Sequence, residues 1–271
     1  MSIINTNSAA QFAIDQRTRN AEGLKKSIEK LSSGLKINNA SDDAAGLAIS
    51  EKFRIDIKGI DRAISNAKDG QSMLQIADGA AQQINNILGR MKQLSIQAAS
   101  NSGDSRNAIN NEFQQLAKEV DRITDVSTFN GNALIKSGGS SNIQIGVGVT
   151  PGVDSLTYNS VDLTASTLGI SDLDLSLTGD PNAAILAIDG AVSTVTEGRG
   201  SLGALQNRLS VANDNLSSLR QNYSDAESRI RDADMSVEMT GFVRSQILLQ
   251  ASTSALSNAN QIPNLVLKLL G

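Results

Sequence analysis

From Ile185 to Ala233 the apolar residues step by three and four almost without a break. Ile185, Ile188, Val192, Val195, Leu202, Leu205, Leu209, Ala212, Leu216, Leu219, Tyr223, Ala226, Ile230 and Ala233 fall on one stripe, and only Arg199 interrupts it. A helix shows this alternation when it offers an a/d seam to partner helices. At about 1.5 Å per residue the stripe runs roughly 70 Å, longer than a compact domain of this size needs. The partners must then be long too, and the molecule is predicted to be a rod.

The N-terminal half supplies such partners. Met73, Ala77, Ala80, Ile84, Ile87, Met91, Leu94 and Ala98 repeat the seam strictly, and Leu47, Phe53, Ile57, Ile60, Ile64 and Ala67 precede it, with Asp69-Gly70 as a point of interruption or weakness. Ser41 is the expected N-cap of this helix, with Asp42 and Asp43 in its first turn, where the helix dipole favours negative charge. A turn at residues 100–105 leads to a return helix through Ile109, Phe113, Leu116, Val120 and Ile123, antiparallel because the connection is short. Ahead of all this, residues 8–37 read as a helix with Leu24, Ile28, Leu31 and Leu35 on its apolar face.

After Asn130-Gly131 the pattern changes to period two. Ile143, Ile145, Val147 and Val149 alternate with polar or glycine positions, Pro151-Gly152 makes a turn, and Leu156, Tyr158, Val161 and Leu163 follow. This is a hairpin signal. Asp180-Pro181 opens the long C-terminal helix, whose weakest segment carries Gly198, Gly200 and Gly203. Past Ala233 the apolar arc widens, with Ile247, Leu248, Ile262, Leu265 and Leu269 among its members. Two helices cannot bury such arcs unaided, so Leu24, Ile28, Leu31, Leu35, Ile247, Leu248, Ile262, Leu265 and Leu269 are the expected subunit-assembly residues. The predicted fold is mainly α: a long coiled-coil-like helical bundle rod with a small β-hairpin region, plus paired terminal helices. Its expected parts are residues 1–40 as an N-terminal helix pairing with 235–271, and residues 41–234 as the rod, with the hairpin region at about 137–170.

Composition narrows the chemistry. The chain has 3% aromatic residues and no Trp, His or Cys. No imidazole or thiolate catalysis and no disulfide is available, and no enzyme activity, cofactor or metal is expected. A net charge of -4 gives no basic footprint for nucleic acid. No stretch approaches the roughly 18 apolar residues of a membrane span. Asp42 and Asp43 read as helix-start electrostatics rather than an acid/base pair, and the glycines at 198–203 follow no strand and lack the ending of a phosphate loop. The N-terminus lacks the basic segment and apolar core of a secretory signal, which by default leaves the protein inside the cell.

Phrases at both ends overturn that default. Ile4-Asn5-Thr6-Asn7, Leu31-Ser32-Ser33-Gly34-Leu35-Lys36-Ile37-Asn38, Asp42-Asp43-Ala44-Ala45-Gly46-Leu47-Ala48-Ile49, Ser201 to Leu209, Ser228 to Asp234 and Ala259-Asn260-Gln261-Ile262-Pro263 occur in this order, and with them the chain resembles the bacterial flagellins. The resemblance implies a filament subunit for motility, a self-associating helical homopolymer whose paired terminal helices line the core. It implies export without a cleaved signal through the flagellar type III apparatus, so that the protein is secreted and extracellular. An export chaperone and hook-associated and cap proteins would be partners, with no nucleic acid or membrane among them. The short segment between Ile170 and Asp180 implies a form without the variable outer domains.

Some flagellins are recognised by the innate receptor Toll-like receptor 5 through a helical phrase R-x-R-E-L-x-V-Q and a Glu on the return helix. The matching residues are Arg90, Leu94, Ile96, Gln97 and Glu112, while Lys92 and Gln93 depart from the phrase. A hook-filament junction protein shares the terminal design, and a soluble coiled-coil adaptor explains the heptads but not the wide terminal arcs.

Overall fold

The computed structural model describes residues 6–101, 104–150 and 152–270, with the side chains of 104 and 262–270 not described. Its elements are α1 (Ser8–Ser33), α2 (Ala44–Ser100), α3 (Asp104–Val126), β1 (Thr128–Phe129), β2 (Asn132–Ala133), β3 (Ser140–Gln144), β4 (Ser155–Asn159), α4 (Pro181–Arg231) and α5 (Met235–Leu270). The fold is a mainly helical bundle with a small antiparallel β region. Two compact units divide it, one of Ile57–Gln221 and one of Met1–Asp56 with Asn222–Gly271.

The core of the Ile57–Gln221 unit is the meeting of three helical seams. Leu74, Ala77, Ile84, Leu88, Met91 and Leu94 of α2 are buried with Ile109, Phe113, Ala117 and Val120 of α3 and with Ala184, Ile188, Ala191, Val195, Leu202 and Leu209 of α4. On α4 the buried line in the first half runs Ala184, Ile188, Ala191, Val195, Gly198, Leu202. Ile185, Val192 and Arg199, expected in the seam, flank it half-exposed. Small residues at 184, 191 and 198 occupy the tightest places, and Arg199 leaves the seam to donate from Nε to Asp78 Oδ1 at 2.8 Å.

Asp69-Gly70 interrupts nothing, since α2 runs through it. A Cβ on Gly70 would lie 2.6 Å from Ile143 Cδ1, so the glycine is a notch that lets the β region settle on the helix. Gly198 does the same for Val161, whose Cγ1 would stand 3.1 Å from a Cβ there. Neither helix breaks at these glycines, because tertiary packing outweighs a propensity cost of about 1 kcal/mol per residue.

Two hairpins make up the β region. β1 and β2 are joined by Asn130 (φ 49°) and Gly131 (φ 80°), both left-handed, as a type I′ turn requires. In the second hairpin Ile143 pairs with Leu156 and Ser141 with Tyr158. Its first strand ends at Gln144, short of the predicted run through Val149. The alternating glycines explain the difference: Cβ atoms on Gly146 and Gly148 would fall 2.2 and 2.4 Å from the Asp154 carboxylate, around which this loop curls. Asp154 Oδ2 accepts from the Thr150 N–H at 2.9 Å, and Val149 is left 95% exposed. Pro151 of the predicted turn lies outside the described residues. Tyr158 donates its hydroxyl to the Leu134 carbonyl, and burial pushes its pKa up to about 12.

One face of α3 is a polar ladder that holds the irregular segment before α4. Arg106 donates to the Leu175 and Gly179 carbonyls (3.1 and 3.0 Å), Asn110 accepts from the Leu175 N–H (2.9 Å) and Gln114 donates to the Leu173 carbonyl (2.7 Å). The spacing of four puts all three side chains on one line of the helix. Beside it the Asp174 carboxyl is held below its usual range, first by the Ser176 hydroxyl and N–H, then by the Thr178 hydroxyl and the charge of Arg106. A depressed carboxyl stabilises the folded segment above its ordinary pKa and loses that contribution as pH falls through the folded value.

Candidate assembly interface

The second unit is organised by α1 and α5. Asn7 caps α1, accepting from the Ala10 N–H at 2.9 Å, and its amide donates to the Ala259 carbonyl of α5 at 2.8 Å. Asn20 reaches the Leu248 carbonyl at 3.3 Å, and Lys30 pairs with Glu238 at 3.3 Å. The contacts move towards the N-terminus of α5 as they move towards the C-terminus of α1, so the helices are antiparallel. Gly34, at φ 73°, ends α1 after Ser33, with its N–H on the Lys30 carbonyl, earlier than the predicted 37. Asp234 caps α5 through the Ser236 and Val237 N–H groups (2.9 and 3.3 Å).

Small residues fill the seam between these helices. Ala10, Ala13 and Ala259 are its buried apolar side chains, Ser252 is buried beside them, and Gly23 and Gly241 lie against Ser245 and Ser27. A seam without bulk lets the backbones approach but buries little area. The large apolar groups are elsewhere. Phe12 (65%), Ile28, Met235, Val237, Met239, Val243, Ile247 (58%) and Leu248 stand exposed. Met239, Val243, Ile247 and Leu248 line one open apolar groove along α5, and Phe12, Ala13, Leu248 and Ala259 line a second between α1 and α5.

A short clasp ties the other ends of these helices. Leu35 and Asp232 form an antiparallel bridge, with Lys36 N–H on the Arg231 carbonyl (2.6 Å) and Ala233 N–H on the Gly34 carbonyl (2.9 Å). Ile37 is buried, and Arg231 pairs with Glu51 at 2.8 Å. Asp43, not Ser41, caps α2, accepting from the Gly46 N–H in its first turn at 2.9 Å. Asp42 accepts from the Asn38 and Asn39 N–H groups (3.2 and 3.1 Å), and these, Asn39 first, hold its carboxyl below the usual range. The acidic pair therefore shapes the loop and starts the helix. Phe53 and Tyr223 stack nearby at 5.4 Å between ring centroids.

Of the predicted assembly residues, Ile28, Ile247 and Leu248 are exposed, and Leu24, Leu31 and Leu35 are half-buried. The side chains of Ile262, Leu265 and Leu269 lie outside the described residues. Sequence reading missed Phe12, Met235, Met239 and Val243. Their apolar character was visible, but not that the partner helix leaves them uncovered. On the other unit Arg90 and Glu112 are exposed and paired at 2.6 Å, and Lys92 pairs with Asp189. Leu94, expected beside Arg90 and Glu112 in a receptor contact, is corrected: at 1% exposure it is core and offers no surface. Among the described residues no His, Cys, Asp and Glu side chains group as metal ligands, and no helix is long and apolar enough to cross a membrane.

The helical regions at both ends of the chain have counterparts among known proteins. Residues 4–138 match the bacterial flagellin N-terminal helical region, and residues 185–270 match the bacterial flagellin C-terminal helical region. The chain belongs to the flagellin family. It is 44% identical to the flagellin of Halalkalibacterium halodurans over 99% of both chains, and 38% identical to that of Bacillus subtilis over 98% of this chain and 99% of the relative. The crystal structure of Bacillus cereus flagellin superposes with a TM-score of 0.50 at 26% identity, covering 60% of this chain and 94% of that one. As a flagellin, the chain is a self-polymerising structural subunit of the flagellar filament. Residues 139–184, between the two family matches, hold the second hairpin and the segment bound by the α3 ladder in place of a large central insertion.

Proposed function

We propose that the chain polymerises by burying the outward apolar faces of α1 and α5 against the same faces of neighbouring copies. Residues 1–40 and 235–271 then form the filament core, with residues 41–234 around it. The observation that carries this is the division of labour in the terminal pair: small side chains face inward, while Phe12, Ile28, Val243, Ile247 and Leu248 face out. Each large side chain removed from water contributes about 1.5–3 kcal/mol, which a repeated contact multiplies along a polymer. Leu24, Leu31 and Leu35 border this surface.

The assembled form is extracellular in this reading, reached by type III export with a chaperone holding the free subunit, and bounded by hook-associated and cap proteins. A contact with Toll-like receptor 5 centres on Arg90 and Glu112, with Leu94 supporting the helix from inside. Silence of receptor-bearing reporter cells towards the purified protein would remove that partner.

Electron microscopy of the purified chain, polymerised alone, tests the main reading. Long filaments are expected. Short assemblies that stop growing would instead place the chain at the hook-filament junction, and a closed small oligomer in ultracentrifugation would make it a coiled-coil adaptor.

A further inference from the structure

We propose that Met235 and Met239 are a methionine-oxidation site that blocks the assembly face of the free subunit. The inference rests on the assembly reading above. Of the 5 methionines, Met73 and Met91 are buried and Met1 lies outside the described residues. Met235 and Met239 are 49% and 51% exposed, four residues apart on α5, and continue through Val243 to Ile247 along the same outward line. With no Cys, Trp or His in the chain, the two thioethers are the most readily oxidised exposed groups among the described residues.

The chemistry is a two-electron oxygen transfer. A peroxide delivers one oxygen to the thioether sulfur, the S–O bond forms as the O–O bond breaks, and the peroxide leaves as water or alcohol. The product sulfoxide is polar and accepts hydrogen bonds, so that a flexible apolar side chain becomes one that an apolar contact must desolvate. In a filament the copy seated on α5 covers both sulfurs. Oxidation therefore acts on subunits before they are incorporated, and sulfoxide reduction restores them.

The test treats the full chain with hydrogen peroxide as monomer and as filament, followed by peptide mass spectrometry and a polymerisation assay. In the monomer Met235 and Met239 gain oxygen before Met73 and Met91, and filament yield falls by about tenfold. In preformed filaments both are protected. The double variant Met235→Leu/Met239→Leu polymerises equally before and after peroxide. Oxidised protein that polymerises at the untreated rate, or a leucine variant that loses assembly to peroxide as the parent does, overturns the inference. Ile247→Glu, assayed alongside, separates the two levels. If it assembles normally, the assembly face itself is wrong; if it fails while oxidised protein assembles, only the oxidation site is.

Discussion

Phe113→Ala lowers the stability of the Ile57–Gln221 unit by about 3–5 kcal/mol, the usual cost of removing a fully buried ring. Phe113 is the largest completely buried side chain, and it sits in the cluster shared by α2, α3 and α4. The chain has only 5 Phe, 2 Tyr and no Trp, so the core cluster is built mostly of Leu, Ile, Val, Met and Ala, which fill the space left by a ring poorly. The cavity stays largely open, and the cavity term adds to the lost transfer energy. Thermal melting followed by circular dichroism reads it as a fall of roughly 2–4 °C for each kcal/mol in a unit of this size. Phe113→Leu keeps most of the volume and costs about 1.5 kcal/mol or less. Equal melting of Phe113→Ala and the parent would mean that the three seams do not converge on this ring.

Ile247→Glu abolishes filament formation at concentrations where the parent assembles, while the melting of the Ile57–Gln221 unit stays within about 0.5 kcal/mol. Ile247 is 58% exposed in the single chain, so the substitution removes little from the subunit. In an assembled contact the same position would place a carboxylate among Val243, Leu248 and Phe12 of packed copies, at several kcal/mol per site. Since each 1.4 kcal/mol is tenfold in an equilibrium constant, the concentration needed for assembly rises by at least about a hundredfold. Sedimentation of polymer across a concentration series measures it. An unchanged threshold would remove this face from the interface.

The long helices could be read from the chain because period 3.6 survives local defects: Asp69-Gly70 and the three glycines of α4 weaken propensity but not the seam. The exact line of burial was less readable. Hydropathy ranks Ile185 above Ala184 and Val192 above Ala191, whereas close packing gives the innermost places to the smaller residue. The run Ile145, Val147, Val149 imitates a strand because alternation is all that sequence shows; that the intervening glycines wrap around Asp154 depends on a carboxylate several residues away. Asn130-Gly131 carries the type I′ dipeptide between β1 and β2, but two-residue strands show no alternation, and the pair was legible only as a change of pattern. The ladder of Arg106, Asn110 and Gln114 had no signal, since side chains that grip distant backbone carry no local pattern. At the candidate interface, the sequence identified apolar arcs on both terminal helices. Which apolar residues face out depends on the small-residue seam taking the inner side, a property of the pair and not of either helix.

The bond from Asn7 to Ala259 spans 252 positions of chain. α1 alone has 26 residues and little internal support, and helices of that kind are marginal in water until a partner docks. Its partner α5 follows α4, far along the chain. The outward apolar surface is therefore organised only when both helices are present, and a copy lacking either has no ordered face to offer another. Joining of the two ends, tethered through Asn7 and Asn20, is thus the step that prepares the face a neighbouring copy would meet.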